Sequence, residues 1–276
     1  GIVLSGHTDV VPTEGQPWTT DPFRLTERDG RLYGRGAADM KGFVALVLAH
    51  VPQMQAAGLK RPVQIALSHD EEVGCLGAPA MIAQMRETLP PAEAVIVGEP
   101  TMMQVVTRHK GVIRLRTHLR GHEVHSALMH QGVSAVMAAA RLVTWAEDRM
   151  IDARAQADPV DALFEPPYST WHVGWIEGGT APNITAKDCR FWLDIRTMPA
   201  EDQEAAIAAY MGKVAQVERE MRATCSDTYV EVYRNSVTPG CRKEPDETAT
   251  AERIARQLTG DNGEHVVAFG TEAGQF

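Results

Sequence analysis

The chain has 276 residues, of which 44% are hydrophobic, and its 36 acidic and 27 basic side chains give a formal net charge of −9 at pH 7. This excess of acid argues against nucleic acid or an anionic membrane as the main partner. A small molecule is the expected partner instead. No apolar run approaches the roughly 20 residues that a membrane-spanning helix needs. The four cysteines are scattered without a C-x-x-C pair, so we expect a reducing, cytoplasmic location.

Three apolar runs of the sequence each end in an acid or a histidine. The first ends at His7 and Asp9, which face the same side of an extended segment because they are two residues apart. The second leads into Glu71 and Glu72, and the third leads into Glu99. Catalytic groups collect at the carboxyl ends of parallel strands, so we expect these side chains to meet. That much negative charge needs a cation, and the sequence therefore predicts a metal site.

Up to residue 111, strand patterns and helix patterns alternate, which is typical of a parallel α/β layer. The helix from about Phe43 to Val51 is apolar nearly all round, so we predict that it is buried. Pro52 is expected to bend or end it. The same layer resumes after residue 234, with a helix predicted near residues 249–258 and a strand near 265–269.

The pattern changes at Gly111, where apolar residues begin to alternate with charged ones in a half-buried strand. Amphipathic helices are predicted at 133–150 and 201–223, and further strands at 171–176, 190–196 and 229–233. The resulting order β-α-β-β-α-β is that of the ferredoxin-like split unit. We therefore predict an α+β domain at residues 112–234, inserted into an α/β domain made of residues 1–111 and 235–276.

Short motifs occur along nearly the whole chain. In chain order they are His7-Thr8-Asp9, Gly34-Arg35-Gly36 through Asp39, Asp70-Glu71-Glu72, Gly98-Glu99-Pro100, Gly121 through His125-Ser126, Gly178-Gly179-Thr180-Ala181-Pro182-Asn183 and Phe269-Gly270-Thr271-Glu272. With these motifs in this order, the sequence resembles the M20 family of zinc amidohydrolases. The resemblance implies a mostly parallel-sheet, zinc-peptidase-like catalytic domain with an inserted α+β ferredoxin-like dimerisation domain.

The resemblance also implies a dinuclear zinc centre with two ions per subunit, for which Co²⁺ is an alternative metal. His7 and Glu99 would bind one ion, Glu72 would bind the other, and Asp39 would bridge them. Asp9 would hydrogen-bond to His7 and fix its ring, as metal-bound histidines commonly require. Glu71 would be the general base that takes a proton from water and returns it to the leaving amine.

Four further residues are assigned to the site by the same resemblance. His125 would reach the active site of a partner subunit and stabilise the oxyanion, with Asn183 as a neutral donor beside it. Arg196 would hold the substrate's α-carboxylate, and Thr271 would add a hydrogen bond. These assignments predict a homodimer formed through the 112–234 domain.

The implied reaction is hydrolysis of an N-acyl amino acid. The setting of residues 164–168 before the Gly-Gly-Thr-Ala segment favours N2-acetyl-L-ornithine, which gives L-ornithine and acetate in arginine biosynthesis. Sister specificities stay open, namely desuccinylation of succinyl-diaminopimelate and general aminoacylase activity. So does a non-catalytic dimerisation or ligand-binding module that keeps the fold without the chemistry.

Several of these residues also have a purely structural interpretation. Asp39 is a possible helix cap, Glu71 and Glu72 a helix start, Asn183 a turn residue, and Arg196 a partner in a cross-sheet ion pair. We also expect the chain to be an internal piece of a longer protein. The family's remaining ligand is a histidine near its C-terminus, and no counterpart precedes Phe276, so we expect one metal site to be incomplete.

Overall fold

The computed structural model of the protein describes residues 1–276 and divides into two compact units. The first unit consists of Gly1–His109, Cys241–Val266 and Thr271–Phe276. The second consists of Lys110–Gly240 and Val267–Gly270. None of the helices combines the length and the hydropathy that crossing a bilayer requires.

The first unit is built on a parallel sheet of three strands, β1 (Ile2–His7), β4 (Val63–Ser68) and β5 (Ala94–Val97), with β1 in the centre. The register pairs His7 with Ser68 and Ser5 with Val97. All three strands therefore end at the same edge of the sheet, which confirms the predicted parallel layer. A short hairpin of β2 (Thr26–Arg28) and β3 (Arg31–Tyr33) lies between β1 and β4 in the chain.

The helices of this unit are α1 (Lys41–Ala56), α2 (Ala78–Thr88) and α5 (Thr250–Thr259), and the two short strands β6 (Val106–His109) and β11 (His265–Val267) pair with each other. The prediction that α1 is buried is wrong, because Val47 is its only buried residue and Leu46 is 62% exposed. Only one stripe of the helix packs on β1 and β4. The helix also does not end at Pro52 but continues to Ala56.

The second unit follows the order β7 (Gly111–Arg120), α3 (Ala135–Ala155), β8 (Thr170–Gly178), β9 (Asp188–Thr197), α4 (Gln203–Thr224) and β10 (Tyr229–Thr238). Its strands form an antiparallel sheet in the order β10-β7-β9-β8, against which α3 and α4 pack. Short 3₁₀ helices occur at Ser126–Gln131 and Pro159–Asp161, and in the first unit at Glu272–Gln275.

The core of the second unit comes from the alternation of apolar residues along its two central strands. Ile113, Leu115 and Leu119 of β7 are buried, as are Leu193 and Ile195 of β9. Their polar neighbours along each strand lie on the opposite face of the sheet. Two hydroxyls in this interior are paired with each other, because that of Thr117 lies 2.6 Å from that of Tyr210.

Candidate metal centre

His7, the last residue of β1, is the centre of the acidic cluster that the sequence predicts. Its side chain is 1% exposed. The imidazole Nδ1 lies 3.1 Å from the carbonyl oxygen of Asp9 and 3.5 Å from its carboxylate. On the other side, Nε2 lies 3.0 Å from Oδ1 of Asp39 and 3.9 Å from Oε1 of Glu99. Since a carbonyl accepts only from a protonated Nδ1, a neutral His7 presents the lone pair of Nε2 to these two acids.

Two glycines allow the start of α1 to approach the ends of the strands closely. A Cβ atom at Gly6 would lie 2.7 Å from Cε of Met40, and one at Gly98 would lie 2.3 Å from the ring of Phe43. Met40 is completely buried, and the preceding peptide bond to Asp39 is cis. The packing of Met40 on β1 thus holds Asp39 beside His7. Asp39 is not a helix cap, because the N-cap position of α1 is Met40 and has no side-chain bond.

Asp9 connects the end of β1 to the acidic turn that follows β4. Its carboxylate accepts hydrogen bonds from the backbone amides of Glu71 (3.2 Å) and Glu72 (3.1 Å). Asp70 adopts a positive φ of 56° immediately before them. The turn is not the start of α2, which begins only at Ala78. Asp9 therefore holds both glutamates at the sheet edge by their backbone.

The acids form two groups around His7 whose ligand atoms lie within 4.8 Å of one another. One group is His7, Glu71 and Glu99, and the other is His7, Asp39 and Glu72. All the acids that the sequence predicts at this edge are thus brought together. Cys75, four residues after Glu71, donates a thiol hydrogen bond to Oε1 of Glu71 at 3.3 Å.

Burial and repulsion between like charges raise the pKa values of three glutamates of the cluster, Glu71, Glu72 and Glu99. Burial, together with the negative charges of Glu71 and Asp39, raises the pKa of Glu99 to about 8. Burial also raises the pKa of Glu71 and of Glu72. For His7, burial lowers the pKa, but the charges of Glu99 and Glu71 outweigh burial and the net shift is upward. Acids thus outnumber the single histidine in each of the two groups.

These residues fit a divalent metal ion. One buried imidazole nitrogen with a free lone pair and several carboxylates form the kind of donor set that zinc accepts. A cation would also remove the repulsion that raises the carboxyl pKa values. His7, Asp39, Glu72 and Glu99 would hold it, with Glu71 close to the same space.

Sequence reasoning missed one acid at this site, Glu272. It is 1% exposed and begins the 3₁₀ helix Glu272–Gln275. Its carboxylate accepts hydrogen bonds from the hydroxyls of Ser5, at 3.1 Å, and of Ser68. The available signals were an acid in a glycine-rich motif and two serines inside otherwise apolar strands. The predicted residue next to it, Thr271, is buried and caps the same helix by accepting from the amide of Ala273 at 3.1 Å.

The other three predicted site residues lie in the second unit. His125 is exposed, and its Nδ1 accepts a hydrogen bond from the amide of Ala127 at 3.2 Å. The carbonyl oxygen of Asn183 accepts from the amide of Ser126 at 2.8 Å, so His125 and Asn183 are brought together through the backbone. Arg196 is paired with Asp194, through Nε at 2.7 Å and Nη2 at 3.2 Å. Arg196 is thus an ion-pair partner, but of Asp194 on its own strand β9 and not of a residue across the sheet.

Comparison with known proteins identifies the family. The family model described as Peptidase family M20/M25/M40 matches residues 3–276. An acetylornithine deacetylase of Myxococcus xanthus is 35% identical over 275 residues, 100% of this chain and 68% of that protein. One of Shigella sonnei is 38% identical over 202 residues, 72% of this chain and 51% of that protein.

The fold has a counterpart among solved structures. The crystal structure of an M20 family metallo-carboxypeptidase from Sulfolobus solfataricus has a TM-score of 0.71 at 17% identity, and the match covers 100% of this chain and 74% of that one. This similarity supports the mixed α/β fold with its parallel sheet. Together with the family match, it confirms the resemblance found in the motifs. The chain therefore belongs to peptidase family M20/M25/M40.

Proposed function

We propose that the protein is a metal-dependent amidohydrolase that cleaves N-acyl amino acids, with N2-acetyl-L-ornithine as the first candidate substrate. The main support is the convergence of five side chains in two groups, within each of which the ligand atoms lie within 4.8 Å of one another. These side chains are His7, Asp39, Glu71, Glu72 and Glu99. The choice of substrate is supported by the names of the two relatives that are 35% and 38% identical.

In the proposed centre, His7 and Glu99 would hold one zinc ion and Glu72 the other, with Asp39 as a ligand shared by both; Co²⁺ would be an alternative metal. A bound divalent cation supplies Lewis acidity towards a carbonyl oxygen and lowers the pKa of water. The ring orientation of His7 suits its role, because Asp9 occupies Nδ1 and leaves Nε2 towards the acids. Asp9 also fixes the turn that carries Glu71 and Glu72.

Glu71 is the proposed general base. Its carboxylate takes a proton from the attacking water and delivers that proton to the nitrogen of the leaving amine, which breaks the amide bond. The thiol hydrogen bond from Cys75 engages Oε1 and so limits the rotation of the carboxylate. Burial raises the pKa of Glu71, which strengthens it as a base relative to an exposed glutamate.

The α-carboxylate of the substrate is proposed to bind Arg196. Asp194 engages the Nε and one Nη2 hydrogen of this guanidinium, and three of its five N–H donors stay available. Asp194 also orients the guanidinium plane. The hydroxyl of Thr271 accepts a bond from its own helix, so its hydrogen is free to be donated to the substrate.

We further propose that the protein acts as a homodimer through the 112–234 domain, so that His125 and Asn183 of one subunit stabilise the oxyanion in the other. Strand β8 lies at the edge of its sheet and exposes Trp175 and Ile176. An exposed apolar edge strand favours pairing with another chain. Light scattering of the full-length protein is expected to give twice the subunit mass, and a monomer that is fully active would contradict this part of the proposal.

The proposed activity is tested with a panel of substrates on the full-length protein. N2-acetyl-L-ornithine, succinyl-diaminopimelate, other N-acetyl amino acids and dipeptides are compared before metal removal by a chelator, after it, and after addition of Zn²⁺. We expect acetylornithine to be hydrolysed fastest, and only with metal. Faster turnover of another substrate would contradict acetylornithine as the preferred substrate and identify that compound instead. A full-length protein that neither binds metal nor hydrolyses any substrate would favour the non-catalytic module.

A further inference from the structure

Glu272 is a buried acid that the proposed mechanism does not use. Its two carboxylate oxygens accept from different hydroxyls, Oε2 from Ser5 and Oε1 from Ser68. Both serines are themselves buried. None of the ion pairs of the structure, which extend to 4.0 Å, includes Glu272. The carboxylate is thus held by neutral donors, and its charge has no cationic side chain beside it.

The two serines locate this charge relative to the candidate metal centre. Ser5 precedes His7 by two residues on β1, so both side chains point to the same face of the sheet. Ser68 is the residue of β4 that pairs with His7. The carboxylate of Glu272 therefore lies on the same face of the sheet as the side chain of His7, bonded to a residue on each of the two strands beside it. After burial, its charge is among the influences that raise the pKa of Glu71 and of Glu99.

A buried carboxylate without a cation is costly, because the hydroxyl bonds replace only part of its hydration. The cost is reduced if a cation is bound nearby. Glu272 itself belongs to neither of the two groups of potential ligands around His7, and both of its oxygens accept from serine hydroxyls. Its negative charge and its position remain as the properties that act on the site.

We infer that Glu272 is a positioning residue of the candidate metal centre. It places one buried negative charge on the face of the sheet that carries His7, and that charge increases the affinity of the centre for divalent cations. Its bonds to Ser5 on β1 and Ser68 on β4 connect the two strands next to the paired residues His7 and Ser68. The same carboxylate therefore also fixes the ends of these strands. This inference rests on the proposed function, because it requires that the cluster binds a metal.

The test compares full-length protein with and without Glu272→Gln, which removes the charge at nearly constant shape. Binding of Co²⁺ to the metal-free proteins is measured by calorimetry, and urea unfolding of the same metal-free proteins gives their stability. The matched control is Glu201→Gln in the second unit, where the carboxylate of Glu201 also accepts from a serine hydroxyl, that of Ser169, at 2.6 Å.

We expect Glu272→Gln to weaken Co²⁺ binding by about 10- to 100-fold, as substitutions behind metal ligands do, and Glu201→Gln to leave binding unchanged. The metal-free Glu272→Gln protein is expected to be at least as stable as the unsubstituted one, since the acids lose a like charge. A purely structural role would instead lower that stability and leave the affinity of the folded protein unchanged.

Should Glu272→Gln fail to fold, the double variant Ser5→Ala/Ser68→Ala tests the same claim by releasing the carboxylate from its position. We expect it to weaken Co²⁺ binding by roughly threefold or more, given the strength of two such hydrogen bonds. Unchanged Co²⁺ affinity in the folded variant would overturn the inference while leaving the proposed function intact. Absence of Co²⁺ binding by the unsubstituted protein would overturn both.

Discussion

The edge of the parallel sheet in the first unit and the core of the second unit are organised in opposite ways. At the sheet edge, Asp39, Glu71 and Glu99 surround His7, and burial raises the pKa values of Glu71 and Glu99. In the core, residues such as Leu193 and Ile195 are fully buried among apolar neighbours. The core residues bury their apolar side chains against one another and need no ligand, whereas the acids at the sheet edge carry like charges that a bound cation would balance. The core of the second unit thus stabilises the fold, whereas the sheet edge of the first unit lowers the stability of the metal-free protein and favours binding of a cation.

The largest effect is expected at the sheet edge, from Glu71→Gln. The variant removes the proposed general base at constant shape, so kcat should fall by about 10²- to 10⁴-fold while Co²⁺ still binds. Steady-state kinetics on the best substrate measures the change, and Glu147→Gln, at an exposed position of α3, is the control that should keep full activity. A Glu71→Gln protein with normal kcat would contradict the assignment of the base.

The core should respond to truncation in stability and not in chemistry. Leu193→Ala leaves a cavity between the sheet and its helices, and we expect it to lower the free energy of unfolding by about 2–5 kcal/mol. Leu258→Ala, on α5 where the side chain is 76% exposed, is the control and should change stability by less than about 0.5 kcal/mol. Urea unfolding of both variants measures the difference, and equal effects would show that the core is not where stability arises.

The sheet edge should also make the metal-free protein less stable as the pH rises. The pKa of Glu99 is raised from an ordinary value of 4.5 to about 8, so the folded state binds more protons than the unfolded state between these two values. The associated stability is fully present below about 4.5 and is lost as the pH rises towards 8.

We expect a loss on the order of 4 kcal/mol over this interval, measured by urea unfolding of the metal-free protein at a series of pH values. Glu99→Gln does not titrate and should reduce this pH dependence. A metal-free protein whose stability is constant or increases from pH 5 to 8 would show that the acids do not repel one another as described.

The smallest effect is expected from Asp9→Asn, which weakens support behind the cluster without removing a proposed ligand. The amide side chain keeps one acceptor oxygen for the backbone amides of Glu71 and Glu72, so kcat should fall by about tenfold, at the lower end of such substitutions. Asp148→Asn, at an exposed position of α3, serves as the control. If Asp9→Asn and Asp148→Asn behave alike in steady-state kinetics, Asp9 has no role in fixing the turn.

Periodicity and strand ends made the parallel sheet and the convergence of its acids predictable. His7, Glu71 and Glu99 each follow an apolar run, and parallel strands bring such positions together by geometry alone. The exposure of α1 could not be predicted in the same way, because apolar composition does not specify which neighbouring elements cover a helix. Leu46 and Leu48 are as apolar as core residues and yet at least half exposed.

The pairing of Arg196 with Asp194 follows from a local rule, since residues two apart on β9 share a face. The position of Glu272 follows from no local rule. Its partner Ser5 is 267 residues away in the chain and Ser68 is 204 residues away. A buried acid whose donors are that distant becomes visible only when the strands are assembled.

The most direct measurement is the anomalous diffraction of a crystal of the Co²⁺-loaded, full-length protein, collected at the cobalt absorption edge. We expect strong anomalous density about 2.0–2.2 Å from Nε2 of His7 and from a carboxylate oxygen of Glu99. A second peak should lie about 3.5–4 Å away, next to Glu72, with Asp39 between the two. Anomalous density that is absent from this sheet edge, or that lies at other residues, would contradict the metal centre on which the proposed function depends.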